Sequence, residues 1–298
     1  MNFNLTRIAP TPSGFLHLGN LFSFFITKVI AKNHKAKILL RIDDLDQERV
    51  RPEYIQDIFD TLDFMEFSYD LGPKNSEELR NEWSQVHRIE SYKNILSELR
   101  EKKLIFACEC SRKKIKQLNP KGSYLGHCLD RNISLEKKDV AWRLDTFKSE
   151  SLPLIEYPGI GSSITLPSES AFFMVRKKDG LASYQLSSLV DDIYFGVDLI
   201  IRGEDLYPSS LSQLALAFHL NKGESFQNAN FLHHRLLLDK AQEKLSKTEG
   251  AISIQYLRKN GKSKKDILLA LSQKIDWMTE TNDFEEFEEE LLKKIATF

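Results

Sequence analysis

Two short stretches, far apart in the chain, carry residue types suited to phosphate chemistry. The first is Thr11-Pro-Ser-Gly-Phe-Leu-His17-Leu-Gly19-Asn20 and the second is Lys244-Leu-Ser246-Lys247-Thr. A turn that opens a helix offers backbone N–H groups and the positive end of the helix dipole to phosphate oxygens. His17 can donate hydrogen bonds to the same oxygens, and Gly19 lets a flat base approach the backbone. Lys244 and Lys247 can neutralise a developing pyrophosphate, which stabilises a leaving group electrostatically. Taken singly, the first stretch also reads as a glycine turn with a partly buried histidine, and the second as a solvated basic loop. A third cluster, Cys108-Glu-Cys110 followed by Tyr124-Leu-Gly-His127-Cys128, has the makings of a metal site. Zinc favours tetrahedral thiolate and nitrogen ligands, so chemistry alone selects Cys108, Cys110, Cys128 and His127. Three reduced structural cysteines are the alternative.

The elements that must position these residues follow from periodicity. Residues 4–9 form a short apolar run broken by Pro10, Pro12 and Gly14, and residues 18–31 form a long apolar stretch of helical character. A second branched run, 37–42, and helical spacing over 52–65 complete a strand–helix–strand unit, which implies a parallel sheet. Residues 77–103 read as a pair of polar helices. Residues 106–171 change character, with more Gly and Pro and all three cysteines, and read as a small β-rich insertion. The α/β pattern returns from residue 172: a strand, a Lys178-Asp179-Gly180 turn, a helix at 184–190, a strand at 198–202, a helix at 211–220 and a strand at 231–238. The expected organisation is α/β: a first half over 1–105, the insertion over 106–171, a second half over 172–248, and a helical segment over 249–298. The two phosphate-type stretches then fall on opposite halves of one parallel sheet, where ligands bind at strand carboxyl ends.

In that arrangement the two stretches resemble the HIGH and KMSKS signatures of class I aminoacyl-tRNA synthetases. Flanking residues narrow the likeness to the glutamyl/glutaminyl subgroup. They are Arg7-Ile-Ala9-Pro-Thr11-Pro-Ser-Gly14, Leu40-Arg-Ile-Asp43-Asp-Leu-Asp46, Asp179-Gly-Leu-Ala-Ser-Tyr184-Gln-Leu, Val190-Asp-Asp192 and Ile201-Arg202-Gly-Glu-Asp-Leu206, spread over residues 5–250. The resemblance implies a Rossmann-like catalytic domain in which His17, Gly19, Asn20, Lys244, Ser246 and Lys247 bind ATP, with His17 and Lys247 serving catalysis. It implies that Arg7, Ala9, Thr11, Asp43, Tyr184 and Arg202 line a glutamate pocket. There Arg202 would pair with the side-chain carboxylate, Tyr184 would hydrogen-bond the substrate and Asp43 would hold its α-ammonium. The substrate carboxylate itself would attack the α-phosphate of magnesium-bound ATP, so catalysis would be positioning and charge neutralisation. The subgroup usually carries Glu where Asp43 stands and Ser where Thr11 stands, and the second histidine of HIGH is Asn20 here. The shorter Asp43 can reach an ammonium through a water.

The glutamyl-Q branch of the subgroup carries C-x-C and Y-x-x-x-C, and its pattern implies zinc on Cys108, Cys110, Tyr124 and Cys128, in a structural role. That branch lacks the large anticodon-binding region, and only about 50 residues follow Lys247 here. The implied reaction is glutamate transfer onto the queuosine base of tRNA(Asp). Lys113, Lys114, Lys116 and Lys121, and Arg176, Lys177 and Lys178, are the candidate phosphate contacts, with solvated surface charge as their alternative. Competing readings are a short glutamyl-tRNA synthetase acting on 3′ ends and a synthetase-like tRNA-binding regulator without catalysis. A further rival is a non-tRNA nucleotidyl transferase on the same scaffold.

Composition is compatible with this. The 298 residues are 41% hydrophobic and 29% charged, with a net charge of −1, so a tRNA would meet local basic patches and not a global field. The start, MNFNLTRIAPTPSG, lacks the charge-then-apolar pattern of a secretory signal, and no stretch approaches about 18 uninterrupted apolar residues. Three cysteines, two of them one residue apart, suit a reducing compartment. A cytoplasmic monomer without membrane association is expected.

Overall fold

A computed structural model describes residues 2–148, 151–237 and 253–295. In chain order these form β1 (Leu5–Ile8), α1 (Leu18–His34), β2 (Lys37–Leu40), α2 (Pro52–Phe64), the single turn α3 (Ser76–Glu78), α4 (Ile89–Glu101), β3 (Ile105–Cys108), α5 (Arg112–Leu118) and β4 (Ala141–Leu144). There follow β5 (Leu152–Glu156), β6 (Ile160–Ile164), β7 (Met174–Arg176), α6 (Tyr184–Phe195), β8 (Leu199–Gly203), α7 (Tyr207–His219), α8 (Glu224–Gln227), β9 (Asn230–His234), α9 (Ile254–Lys259), α10 (Lys264–Ser272) and α11 (Phe284–Ile295). The described residues divide into two compact units. The first lies within Met1–Gln85, Leu199–Asp205 and His233–Phe298, and the second within Val86–Asp198 and Leu206–Leu232.

In the first unit β1 is the middle strand between β2 and β8, and both pairings are parallel, with Arg7 opposite Leu39 and Thr6 opposite Leu199. All four residues of β1 are buried, as expected of a parallel strand covered on both faces. Helix α1 makes the crossover that parallel strands need. It is apolar over most of its surface, burying Leu21, Phe22, Phe24, Phe25, Ile26, Val29 and Ile30, and Phe25 packs against Phe284 and Phe287 of α11. Helix α2 starts at Pro52, whose fixed φ suits the first helical position.

The expected helix pair over 77–103 is broken. A π turn at Leu79–Trp83 and a 3-10 turn at Gln85–Arg88 precede α4. The physical cause is Asp44. Its buried carboxylate accepts from Ser84 Oγ at 2.6 Å and from Gln85 N–H at 2.8 Å, and Ser84 is extended. That capture satisfies a backbone donor outside the helical ladder.

The second unit holds two sheet segments. β3, β4 and β7 form an antiparallel sheet, and the β5–β6 hairpin joins β9 in parallel, with Ile155 opposite Asn230. These pairings cut across the boundaries read from sequence. The hairpin at 152–164 lies inside the expected insertion but pairs with β9, and β7 lies outside it but completes the sheet of β3 and β4. Helices α4 and α6 are tied through a buried group: Asp191 accepts from Arg88 through Nε at 2.7 Å and Nη2 at 3.0 Å, and from Tyr92 Oη at 2.7 Å. Among the described residues no helix is long and apolar enough to cross a membrane.

Candidate active site and metal centre

The turn between β1 and α1 brings His17 to the helix N-cap. Its Nδ1 accepts the Gly19 N–H at 3.1 Å, and its own N–H donates to Asn20 Oδ1 at 3.1 Å, a reciprocal capping box. Because Nδ1 is the acceptor, a neutral ring carries its proton on Nε2. Gly19 eases this geometry, since a Cβ there would lie 3.0 Å from His17 Cε1 and press on the ring. Sequence reasoning assigned the glycine to the approach of a base. In the folded chain it makes room for the imidazole. Asn20 likewise commits its oxygen to the cap.

At the carboxyl ends of β1 and β8 two guanidiniums are buried together. Arg7 and Arg202 are each only 4% exposed, and Arg7 Nη1 donates to Ile201 O at 3.1 Å. His233 of β9 is their neighbour. Burial pushes its imidazolium down to about 3, and the charges of Arg202, His234 and Arg7 push the same way. His234 is also lowered by burial, against the opposing pull of Arg235 O, Asp205 and Glu204. Both shifts keep these histidines neutral near pH 7, between the arginines on one side and the Asp205 and Glu204 carboxylates on the other. A planar guanidinium is suited to pairing with a carboxylate.

Asp43, expected to meet an α-ammonium, is held by Arg41 through Nε at 2.7 Å and Nη2 at 3.1 Å, and both residues are buried. Sequence reasoning missed Arg41. A charged residue inside the apolar run Ile38-Leu-Leu-Arg-Ile42 was the signal that could have found it. Of the other expected pocket residues, Ala9 is half-buried and Thr11 is exposed, its carbonyl accepting from Ser13 N–H at 2.8 Å. Tyr184, in the second unit, is 41% exposed on the first turn of α6. Lys244, Ser246 and Lys247 lie outside the described residues. Ser253, where description resumes, forms an antiparallel bridge with His17.

In the second unit the cysteines converge. The sulfurs of Cys108, Cys110 and Cys128 lie within 4.8 Å of one another, and Cys110 and Cys128 are 3.6 Å apart. Tetrahedral zinc with Zn–S bonds of about 2.3 Å would place sulfurs about 3.8 Å apart, so the spacing fits. Tyr124 is buried with them, and its hydroxyl accepts the Cys128 N–H at 2.7 Å. His127 is exposed and lies outside the cluster, so the geometry favours Tyr124 over His127 as the fourth donor. Gly126, at φ +81, makes the turn that returns the chain from Tyr124 to Cys128. Burial pushes the Cys110 thiol up to about 12, reinforced by Cys128 and Cys108. Cys128 is also pushed up by burial, but the Tyr124 hydroxyl and the Glu109 backbone outweigh this and hold it down at about 7. Arg143 lies over the Tyr124 ring at 3.8 Å and donates to Phe172 O at 2.8 Å, and Arg131 Nη1 reaches Cys128 Sγ at 3.6 Å. Neither arginine was singled out from sequence.

The basic residues near the cluster divide into two kinds. Lys113, Lys114, Lys116 and Lys121 are exposed on or beside α5. Arg176 lies over Trp142, Lys177 pairs with Asp179 at 2.9 Å, and Lys178 donates to Glu109 O at 2.7 Å, so that second group makes contacts within the fold.

The chain belongs to the class I tRNA synthetases of the glutamate and glutamine branch, whose catalytic-domain model matches residues 5–295. Among its relatives, the glutamyl-Q tRNA(Asp) synthetase of Nitratidesulfovibrio vulgaris is 31% identical, over 86% of this chain and 81% of the relative. Glutamate–tRNA ligase 2 of Syntrophus aciditrophicus is 26% identical, over 86% of this chain and 54% of its own. The crystal structure of a glutamate–tRNA synthetase from Elizabethkingia anophelis shares the fold, with a TM-score of 0.62 at 20% identity, covering 88% of this chain and 54% of that one. The chain thus spans about half the length of the glutamate–tRNA ligases it matches.

Proposed function

We propose that this protein activates glutamate with ATP and transfers it to the queuosine base in the anticodon of tRNA(Asp). The observation that supports glutamate is the buried Arg7 and Arg202 guanidiniums beside a histidine held neutral, a residue type suited to a side-chain carboxylate. Arg202 binds that carboxylate, Tyr184 adds a hydrogen bond, and Ala9 and Thr11 shape the wall. The Arg41–Asp43 pair presents a fixed carboxylate to the α-ammonium, directly or through a water. Nε2 of His17 donates to an ATP phosphate, and the backbone at Gly19 and Asn20 adds the helix end. Lys244, Ser246 and Lys247 complete the phosphate contacts. The glutamate α-carboxylate attacks the α-phosphorus, the bond to the β-phosphate oxygen breaks, and magnesium pyrophosphate leaves. The second step passes the glutamyl group from the adenylate to the nucleic acid, with release of AMP.

The choice of queuosine rests on the glutamyl-Q relative and on the compact cysteine knuckle. Cys108, Cys110, Tyr124 and Cys128 would hold one zinc ion, which supplies a rigid staple and, with four protein ligands, no open position for catalysis. The exposed lysines of α5 would meet tRNA phosphates. The protein acts as a cytoplasmic monomer. The test is transfer of labelled glutamate to purified tRNA(Asp) with and without queuosine, beside tRNA(Glu). Labelling confined to queuosine-containing tRNA(Asp) supports the proposal. Labelling of tRNA(Glu) would replace it with a short ligase acting on 3′ ends.

A further inference from the structure

Leu16, the residue before His17, is fixed through both of its backbone groups. Its N–H donates to Asp57 Oδ2 at 2.9 Å, and its carbonyl accepts from Ile254 N–H at 2.8 Å. Asp57 stands on α2 with its side chain fully buried, and its other oxygen accepts from Arg258 Nη2 at 2.7 Å. Arg258 belongs to α9, the helix that begins at Ile254. The contacts close a ring: Leu16 to Asp57, Asp57 to Arg258, and α9 back to Leu16. Thr61 Oγ1, one turn along α2, adds a weaker bond to Asp57 at 3.4 Å.

A buried carboxylate is costly unless it is paired and hydrogen-bonded. The neighbouring core positions of α2, Ile58, Phe59 and Leu62, are apolar, so packing alone gives no reason for an acid at 57. What the acid supplies is direction. It sets the plane of the peptide entering His17, and the capping box then sets the ring.

We propose that Asp57 is a positioning residue for His17, acting through Leu16 N–H and held in charge balance by Arg258. This rests on the reading of His17 as a phosphate-binding group, and it adds a residue on α2, outside either signature stretch, to the machinery. Fixing a donor before the ligand arrives is the preorganisation that electrostatic catalysis depends on.

The test uses the full chain with Asp57→Asn, which keeps an oxygen for Leu16 N–H but removes the charge, and Arg258→Gln, its reciprocal. Two readouts are taken: glutamate-dependent ATP–pyrophosphate exchange, and the imidazole NMR signals of the seven histidines, with His17 assigned by its loss in His17→Gln. The turnover of exchange should fall roughly ten- to hundredfold while KM for glutamate holds, and the double variant should lose no more than either single one. The His17 ring signals should move in both variants and those of the other histidines should not. Unchanged turnover in a folded Asp57→Asn, additive losses, or stationary His17 signals would overturn the proposal. If Asp57→Asn does not fold, Arg258→Gln carries the same test from a partly exposed position. Absence of exchange in the unmodified protein would refute glutamate activation, and the His17 signals would still decide the role of Asp57.

Discussion

The His17 turn and the cysteine knuckle solve the same problem, holding a few polar groups in fixed relation, by opposite means. At the His17 turn the constraint is covalent chain plus hydrogen bonds: a capping box, a clamped Leu16 peptide and buried ion pairs at Arg41–Asp43 and Asp57–Arg258. Asp43 and Asp57 each have a guanidinium against them within the protein. At the knuckle three sulfurs and a phenol crowd together, and burial works against their ionisation. Those are the donor types that a zinc ion takes up in their ionised forms. The first region is held by contacts within the protein, whereas the second gathers donors suited to a metal.

The strongest way to break that contrast is to remove the metal. Cys128→Ser, or exhaustive chelation, should take bound zinc from one ion per chain to none. Amide exchange should then lose roughly hundredfold protection at 105–108 and 124–128 while that at 16–21 is unchanged. Equal loss in both regions would contradict the contrast. A gentler perturbation sharpens it. Arg143→Gln removes the cation over the Tyr124 ring, and zinc affinity measured by chelator competition should fall about tenfold with the fold retained.

The smallest expected effect concerns acid. The folded-state value of His233 is depressed to about 3 from 6.5, chiefly by burial, so below 6.5 the unfolded chain binds a proton that the folded chain refuses. Stability contributed by this site is thus full above 6.5 and is lost as pH falls from there toward about 3. The loss is at most about 1.4 kcal/mol per pH unit. Urea titrations at neutral and mildly acid pH should show this slope, and His233→Gln should flatten it.

Much of this was legible in sequence for a physical reason. The α1 crossover announces itself through a long apolar run after a proline–glycine turn, and the signature residues are short-range patterns. The C-x-C and Y-x-x-x-C spacings likewise fix a local loop, in which the three cysteines cluster with the Tyr124 hydroxyl beside Cys128. What was not legible depends on distant partners. Asp44 bending the chain at Ser84 and the β5–β6 hairpin joining β9 are outcomes of tertiary contact. Donor chemistry alone left His127 in place of Tyr124; the Y-x-x-x-C resemblance implied Tyr124, which is buried beside the cysteines while His127 is exposed. Gly19 has a second role that sequence did not show, giving room to the His17 ring.

The central claim is that Arg7 and Arg202 form a fixed positive site for a side-chain carboxylate. The most direct measurement is ATP–pyrophosphate exchange with glutamate and with its neutral isostere glutamine, in the unmodified protein and in Arg202→Ala. The account predicts exchange with glutamate at least about a hundredfold more efficient than with glutamine, and loss of that preference in Arg202→Ala with the fold intact. Equal exchange with both amino acids, or an unchanged preference in Arg202→Ala, would contradict it.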